Sequence, residues 1–279
     1  MKWQGRQGSN NVEDRRGMST GTKVVGGGIG TLVIVLIVYL LGGDPSTILN
    51  QTDTQTTNAP VEASEAENQM AQFVSVVLKD TEDVWGKIFA ESGSTYRQPT
   101  LVLFRDQVES ACGYATAASG PFYCPGDEKV YIDLSFCDDL QAKYGAYGDF
   151  AVAYVIAHEI GHHVQNQMGI LEEVNAKRSQ LSEVRANQLT VRLELQADFL
   201  AGVWAHYADK MLGTIEPGDI DEALRAASAI GDDVLQKKYQ GRVVPDAFTH
   251  GTAEQRSNWL RKGWETGDLS QGDTFNSTI

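Results

Sequence analysis

The amino-acid sequence predicts an α+β domain, and three observations carry that expectation. Residues 100–106, TLVLFRD, form a short apolar run of strand type. After a turn at Pro125, Gly126 and Asp127, Val130, Ile132 and Leu134 alternate with Tyr131, Asp133 and Ser135, which predicts a strand over 129–136. From Asp149 onward the apolar spacing becomes helical and stays so almost to the end. A small sheet followed by helices packed against it fits that order. The domain is expected over 70–270, with 271–279 as a C-terminal tail.

The elements follow in chain order. Residues 1–23 hold five Lys or Arg against two acids, and residues 24–43, VVGGGIGTLVIVLIVYLLGG, carry no charge. At 1.5 Å per residue this run matches a bilayer core of about 30 Å. It is long for a signal-peptide core, and the GGDPST that follows lacks an A-x-A-like cleavage site. The expectation is a retained transmembrane helix over 24–43. Residues 1–23 are then cytoplasmic, and everything after Asp44 is extracytoplasmic, periplasmic or extracellular. Residues 44–69 are polar and aperiodic and predict a flexible stalk. A helix is predicted from about Met70 to Ala90. Asp149 is a plausible N-cap for a helix to about Met168. Further helices are predicted over about 171–211 and 220–240, then a loop and a terminal helix.

Composition narrows the function classes. The 279 residues are 42% hydrophobic and 22% charged, with a net charge of −14 and a sequence pI near 4.7. No basic face of the kind that holds nucleic acid is evident, so no nucleic-acid partner is expected. The three cysteines, Cys112, Cys124 and Cys137, form no CxxC pair, which argues against a thiolate zinc site. Outside the cytoplasm disulfides are permitted. Cys112 and Cys124 flank GYATAASGPFY and would tether it; Cys124 with Cys137 is the other pairing open at this point.

The chemistry concentrates at residues 156–163, IAHEIGHH. On a helix, His158 and His162 share one face, four residues apart, and their imidazoles can converge on one ion. His163 is turned away by roughly 100°. Glu159 sits beside that face, where its carboxylate reaches a water activated by the metal. This is the H-E-x-x-H logic of zinc hydrolases. Gly161 in mid-helix disfavours the helix by about 1 kcal/mol against Ala and often marks close approach of another backbone. A catalytic zinc usually takes a third protein ligand. LELQADFLAGVWAH supplies the candidates: Glu194 and Asp198, four apart among apolar neighbours, and then His206. One carboxylate of the pair can ligate while the other orients a ligating histidine.

HEIGHH with a downstream E-x-x-x-D resembles the gluzincin metallopeptidases. More narrowly, KWQGRQGSNNVEDRR, CGYATAASGPFYCPGDEKVYIDLSF, HEIGHHVQ, ELQADFLAGVWA and HGTAEQRSNWLRKGW together are similar to the neutral zinc metallopeptidase family of YpfJ-like membrane proteins. The resemblance implies a zincin-like domain with one zinc ion per chain. It makes His158, His162 and Glu194 the ligands, Glu159 the general base, and Asp198 the partner of a ligating histidine. The expected activity is a membrane-anchored zinc metalloendopeptidase that hydrolyses a peptide or protein substrate. His250, beside Gly251 in FTHGTAEQR, is the candidate donor to the developing oxyanion. The strand through Tyr131, Ile132, Asp133 and Leu134 is the candidate edge on which an extended substrate lies. A non-catalytic, metal-stabilised binding protein of the cell envelope is the alternative.

Overall fold

The apolar runs at 100–104 and 129–133 lie at the centre of the main sheet. The computed structural model describes residues 1–17, 63–116 and 119–279. Its strands are β1 (Val12–Asp14), β2 (Thr100–Phe104), β3 (Gln107–Ser110), β4 (Gly113–Thr116), β5 (Phe122–Cys124) and β6 (Lys129–Asp133). The helices are α1 (Glu65–Glu91), α2 (Ser135–Ala142), α3 (Asp149–Gln167), α4 (Ile170–Arg178), α5 (Glu183–Leu212), α6 (Asp219–Ala229), α7 (Asp232–Gln240) and α8 (Ala253–Thr266). The main sheet runs β1-β2-β6-β5, parallel except for the antiparallel β5, and β3 and β4 pair as a separate hairpin.

In β6, Val130, Tyr131, Ile132 and Asp133 are all buried. A strand covered on both faces shows no difference between its alternate positions. Leu134 ends the strand, and α2 starts at Ser135 rather than after Phe136. The predicted helix over 171–211 is divided, with a break at Ser179–Ser182 between α4 and α5. The predicted helix over 220–240 is divided at Gly231, where an added Cβ would collide with the Ala253 backbone. Asp149 is the first residue of α3 rather than its cap, which is Gly148 at φ 104°.

Three boundaries are corrected. Residues 1–23 were expected to stand apart from the domain, across a membrane. Instead Met1–Arg15 and Ser64–Ile279 form one compact unit. β1 pairs with β2 in register Val12 to Leu101, and Lys2 N donates to Thr214 O at 2.8 Å. Arg6 pairs with the fully buried Asp80, and Ser9 Oγ and Asn11 Nδ2 donate to Glu82 Oε1 at 2.6 and 2.7 Å. The segment is thus the cationic and hydrogen-bonding complement of acids buried on α1. Residues 64–69, assigned to the stalk, begin α1 through a capping box between Ser64 and Glu67. The tail is also part of the domain: Thr274 is buried, and Arg192 Nη1 donates to Ser277 O at 2.9 Å. The predicted transmembrane helix over 24–43 and most of the stalk lie outside the described residues. Among the described residues no helix is long and apolar enough to cross a membrane.

Helix packing aligns the parts that matter. An added Cβ on Gly161 of α3 would sit 3.0 Å from Ala197 O of α5, so the mid-helix glycine does mark a close crossing. Gly202 of α5 and Gly263 of α8 meet in the same way, each lying where a Cβ would strike the other helix's backbone. These glycines bring α3, α5 and α8 close enough for their side chains to share one buried network.

Candidate metal centre

His158 and His162 lie one turn apart on α3 and face Glu194 on α5. Glu194 Oε2 is 3.2 Å from His158 Nε2 and 3.5 Å from His162 Nε2. The three donor atoms all lie within 4.8 Å of one another. Around a tetrahedral zinc with bonds of about 2.1 Å, ligand atoms stand roughly 3.4 Å apart. Two imidazole nitrogens and one carboxylate oxygen therefore fit that ion in type, number and spacing.

The protons on both rings are placed by acceptors behind them. His158 Nδ1 donates to Asp198 Oδ1 at 2.8 Å, and His162 Nδ1 donates to Gln165 Oε1 at 2.9 Å. Each bond fixes the ring so that Nε2 is the atom turned toward Glu194. Asp198 is fully buried and further held by Arg256, whose Nε donates to Oδ2 at 2.9 Å and whose Nη2 donates to Oδ1 at 3.0 Å. The Tyr154 hydroxyl donates to Asp198 Oδ1 at 2.6 Å and accepts from Arg256 Nη2 at 3.0 Å.

The electrostatics favour positive charge at this spot. Burial alone would lower the His158 pKa, but Asp198 and Glu194 outweigh it and lift it to about 10. Burial would likewise raise Glu194, but His162 and His158 hold it well below the ordinary carboxylate range. Glu159 goes the other way: burial raises it, and the neighbouring histidines only partly offset that. A carboxyl with a raised pKa is a better proton acceptor than an exposed glutamate.

A cleft of about 530 Å³ opens onto these groups, lined by His158, Glu159, His162, Glu194, His250 and Arg256 among others. Its walls include Phe122, Tyr123, Tyr144 and Leu235. His250 stands half-exposed at the cleft, and Asp232 positions its loop. Asp232 Oδ2 accepts the backbone N–H groups of Thr249, His250 and Gly251 at 2.7, 2.6 and 3.1 Å. His250 Nδ1 lies 3.3 Å from Asp232 Oδ1. Gly251 adopts φ +97°, which the tight loop requires.

Two sequence expectations are corrected here. Tyr131, Ile132, Asp133 and Leu134 do not form an outer strand: β6 lies between β2, which pairs Lys129–Asp133, and β5, which pairs Lys129–Tyr131, and all four side chains are buried. The outer strand is β5, and Gly120, Pro121, Phe122 and Tyr123 line the cleft. His206 lies away from the centre and donates from Nδ1 to Trp264 O at 2.7 Å. His163 is fully buried, its ring between the Tyr123 hydroxyl at 3.0 Å and Arg97 O at 2.6 Å, where it ties α3 to β5 and the loop before β2. Cys112 and Cys124 are disulfide-bonded and Cys137 is a buried free thiol. The bridge fastens the β3–β4 hairpin to the end of β5.

Sequence reasoning missed Arg256, Tyr154, Gln165 and Asp232. Gln165 and Tyr154 had a local signal, since they lie one turn after His162 and one turn before His158 on the same helix. Arg256 and Asp232 reach the site only through the fold.

Similarity to known proteins gives the family. Residues 1–275 match the family described as "Putative neutral zinc metallopeptidase". "Uncharacterized protein YpfJ" of Escherichia coli (strain K12) is 46% identical over 288 residues, covering 100% of both chains. "Uncharacterized protein Rv2575" of Mycobacterium tuberculosis (strain ATCC 25618 / H37Rv) is 39% identical over 257 residues, covering 85% of each. No solved structure matches. A match over nearly the whole chain, together with a full-length relative at this identity, establishes that the chain belongs to the neutral zinc metallopeptidase family.

Proposed function

We propose that the protein is a zinc-dependent endopeptidase with His158, His162 and Glu194 as ligands and Glu159 as general base. The observation that carries this reading is the convergence of three ligand atoms beside a buried glutamate in one open cleft. Zinc bound there supplies Lewis acidity, which makes a water nucleophilic near neutral pH and polarises the scissile carbonyl. Glu159 takes the proton of the attacking water on its carboxylate and passes it to the leaving amine nitrogen. Its burial keeps the carboxyl basic enough for that transfer. His250, braced by Asp232, donates to the carbonyl oxygen as negative charge develops. Asp198, backed by Arg256 and Tyr154, keeps the His158 proton on Nδ1. The substrate backbone lies along the outer edge of β5, and the aromatic wall at Phe122, Tyr123 and Tyr144 receives apolar side chains.

The compartment is part of the same proposal. The Cys112–Cys124 bridge suits an oxidising compartment. We therefore place the domain outside the cytoplasm, and residues 1–15, which complete its sheet, on the same side.

The test is hydrolysis of unfolded casein by the full chain. Wild type should cleave and lose activity with a chelator. Glu159→Gln should lose about 10²- to 10⁴-fold in rate while keeping its zinc. Equal cleavage by the two proteins would remove Glu159 from the mechanism.

A further inference from the structure

We infer that Gln165 is the positioning residue of His162, held in a single orientation by a relay that ends on two backbone carbonyls. The inference rests on the reading of His162 as a metal ligand. A neutral imidazole offers its Nε2 lone pair to a cation only when the proton sits on Nδ1. Behind His158 that proton is fixed by an ionised carboxylate. Behind His162 stands a neutral amide, which by itself could present either its oxygen or its NH2 group. Here the neighbours remove the choice.

The relay is read from its fixed end. Gly272 O can only accept, so Gln196 must turn its NH2 toward it, and that bond is 3.0 Å. Gln196 Oε1 then faces Gln165, whose Nε2 donates to it at 3.0 Å and to Leu193 O at 2.8 Å. With both Gln165 amide protons committed, its Oε1 is left for His162 Nδ1 at 2.9 Å. Gln165 is fully buried and Gln196 nearly so. Leu193 adjoins Glu194, so the same amide joins the backbone before one proposed ligand to the ring of another. The two histidines are therefore supported differently, one by an anion and one by a directed neutral relay.

The experiment uses the full chain and measures zinc affinity by chelator competition, the absorption spectrum of the cobalt-substituted protein, and the Tm of the metal-free protein. Gln165→Leu should weaken zinc binding about 10- to 100-fold, the range typical of lost outer partners of a ligand, and shift the cobalt spectrum. Gln196→Leu leaves the contact between Gln165 and His162 in place but removes one orienting acceptor. It should give a smaller loss in the same direction, and it carries the test if Gln165→Leu does not fold. Wild-type zinc affinity and an unchanged cobalt spectrum in these variants would overturn the inference even if Tm falls, because a merely structural glutamine moves Tm alone. A wild-type chain that binds no zinc would overturn the ligand reading of His162 and this inference with it.

Discussion

At the residue scale, the centre is a pair of histidines whose free nitrogens are chosen by what stands behind them. Asp198→Asn should lower zinc affinity about 10- to 100-fold, because the amide supports His158 less strongly than a carboxylate paired with Arg256. Chelator competition measures it, and unchanged affinity would contradict the role of Asp198. Arg256→Met should cost about 3–5 kcal/mol of stability in denaturant unfolding, since it removes the guanidinium that pairs both oxygens of the buried Asp198. The ligand spacing was legible in the sequence because a helix puts positions four apart on one face whatever the fold. Arg256 and Asp232 were not legible, because their partners lie on other elements and only the packing of α3, α5, α7 and α8 brings them together.

At the element scale, glycines set the helix spacing and a short strand completes the sheet. Gly202→Ala or Gly263→Ala should destabilise by about 1–3 kcal/mol, because the added methyl meets backbone rather than a yielding side chain. The hydrogen bonds of Asp232 predict a pH effect. Burial would raise its pKa, but donors from His250 and Gly251 outweigh that and hold it below the ordinary range. A carboxylate depressed in the folded state stabilises fully above its unfolded value, about 3.9, and that contribution is lost as pH falls through the folded value. Hydrogen exchange at Thr249–Gly251, corrected for intrinsic rates, should therefore quicken below about pH 4, and in Asp232→Asn it should already be fast at neutral pH. Strand β1 escaped the sequence reading because VED has no apolar alternation and pairs along one edge only. The pattern of β6 misled in the opposite way. The sequence makes it a candidate edge for substrate, whereas its polar tyrosine and aspartate are buried as well: the Tyr131 hydroxyl donates to Asp127 Oδ2 at 2.6 Å, and Asp133 Oδ2 accepts from Asp106 N at 2.8 Å.

At the scale of the whole molecule, residues 1–15 and 64–279 belong to one folded unit. A chain lacking 1–15 loses the partners of Asp80 and Glu82 and one strand of the sheet. It should unfold at lower denaturant than the full chain and recover in part when a peptide of residues 1–15 is added. Independence of the fragment from that peptide would contradict the integration of β1. The same unity predicts that residues 1–15 and the rest of the domain lie on one side of any membrane. Cysteines introduced at Lys2 and at the exposed Tyr147 should react alike with a membrane-impermeant thiol reagent, and labelling of only one would contradict it. The order of strands before helices was legible from hydrophobic period alone, and it gave the α+β class. The contribution of the N-terminal segment was not, because charge asymmetry around an uncharged run reports how a chain would insert and not what its first residues pack against.

The most direct measurement is the zinc content of the purified full chain beside its Glu194→Ala and His162→Ala variants. The wild-type chain should hold about one zinc, lost in both variants while their folds persist. A folded wild type that takes up no zinc when zinc is supplied, or variants that retain it, would contradict the three-ligand centre on which the proposed peptidase rests.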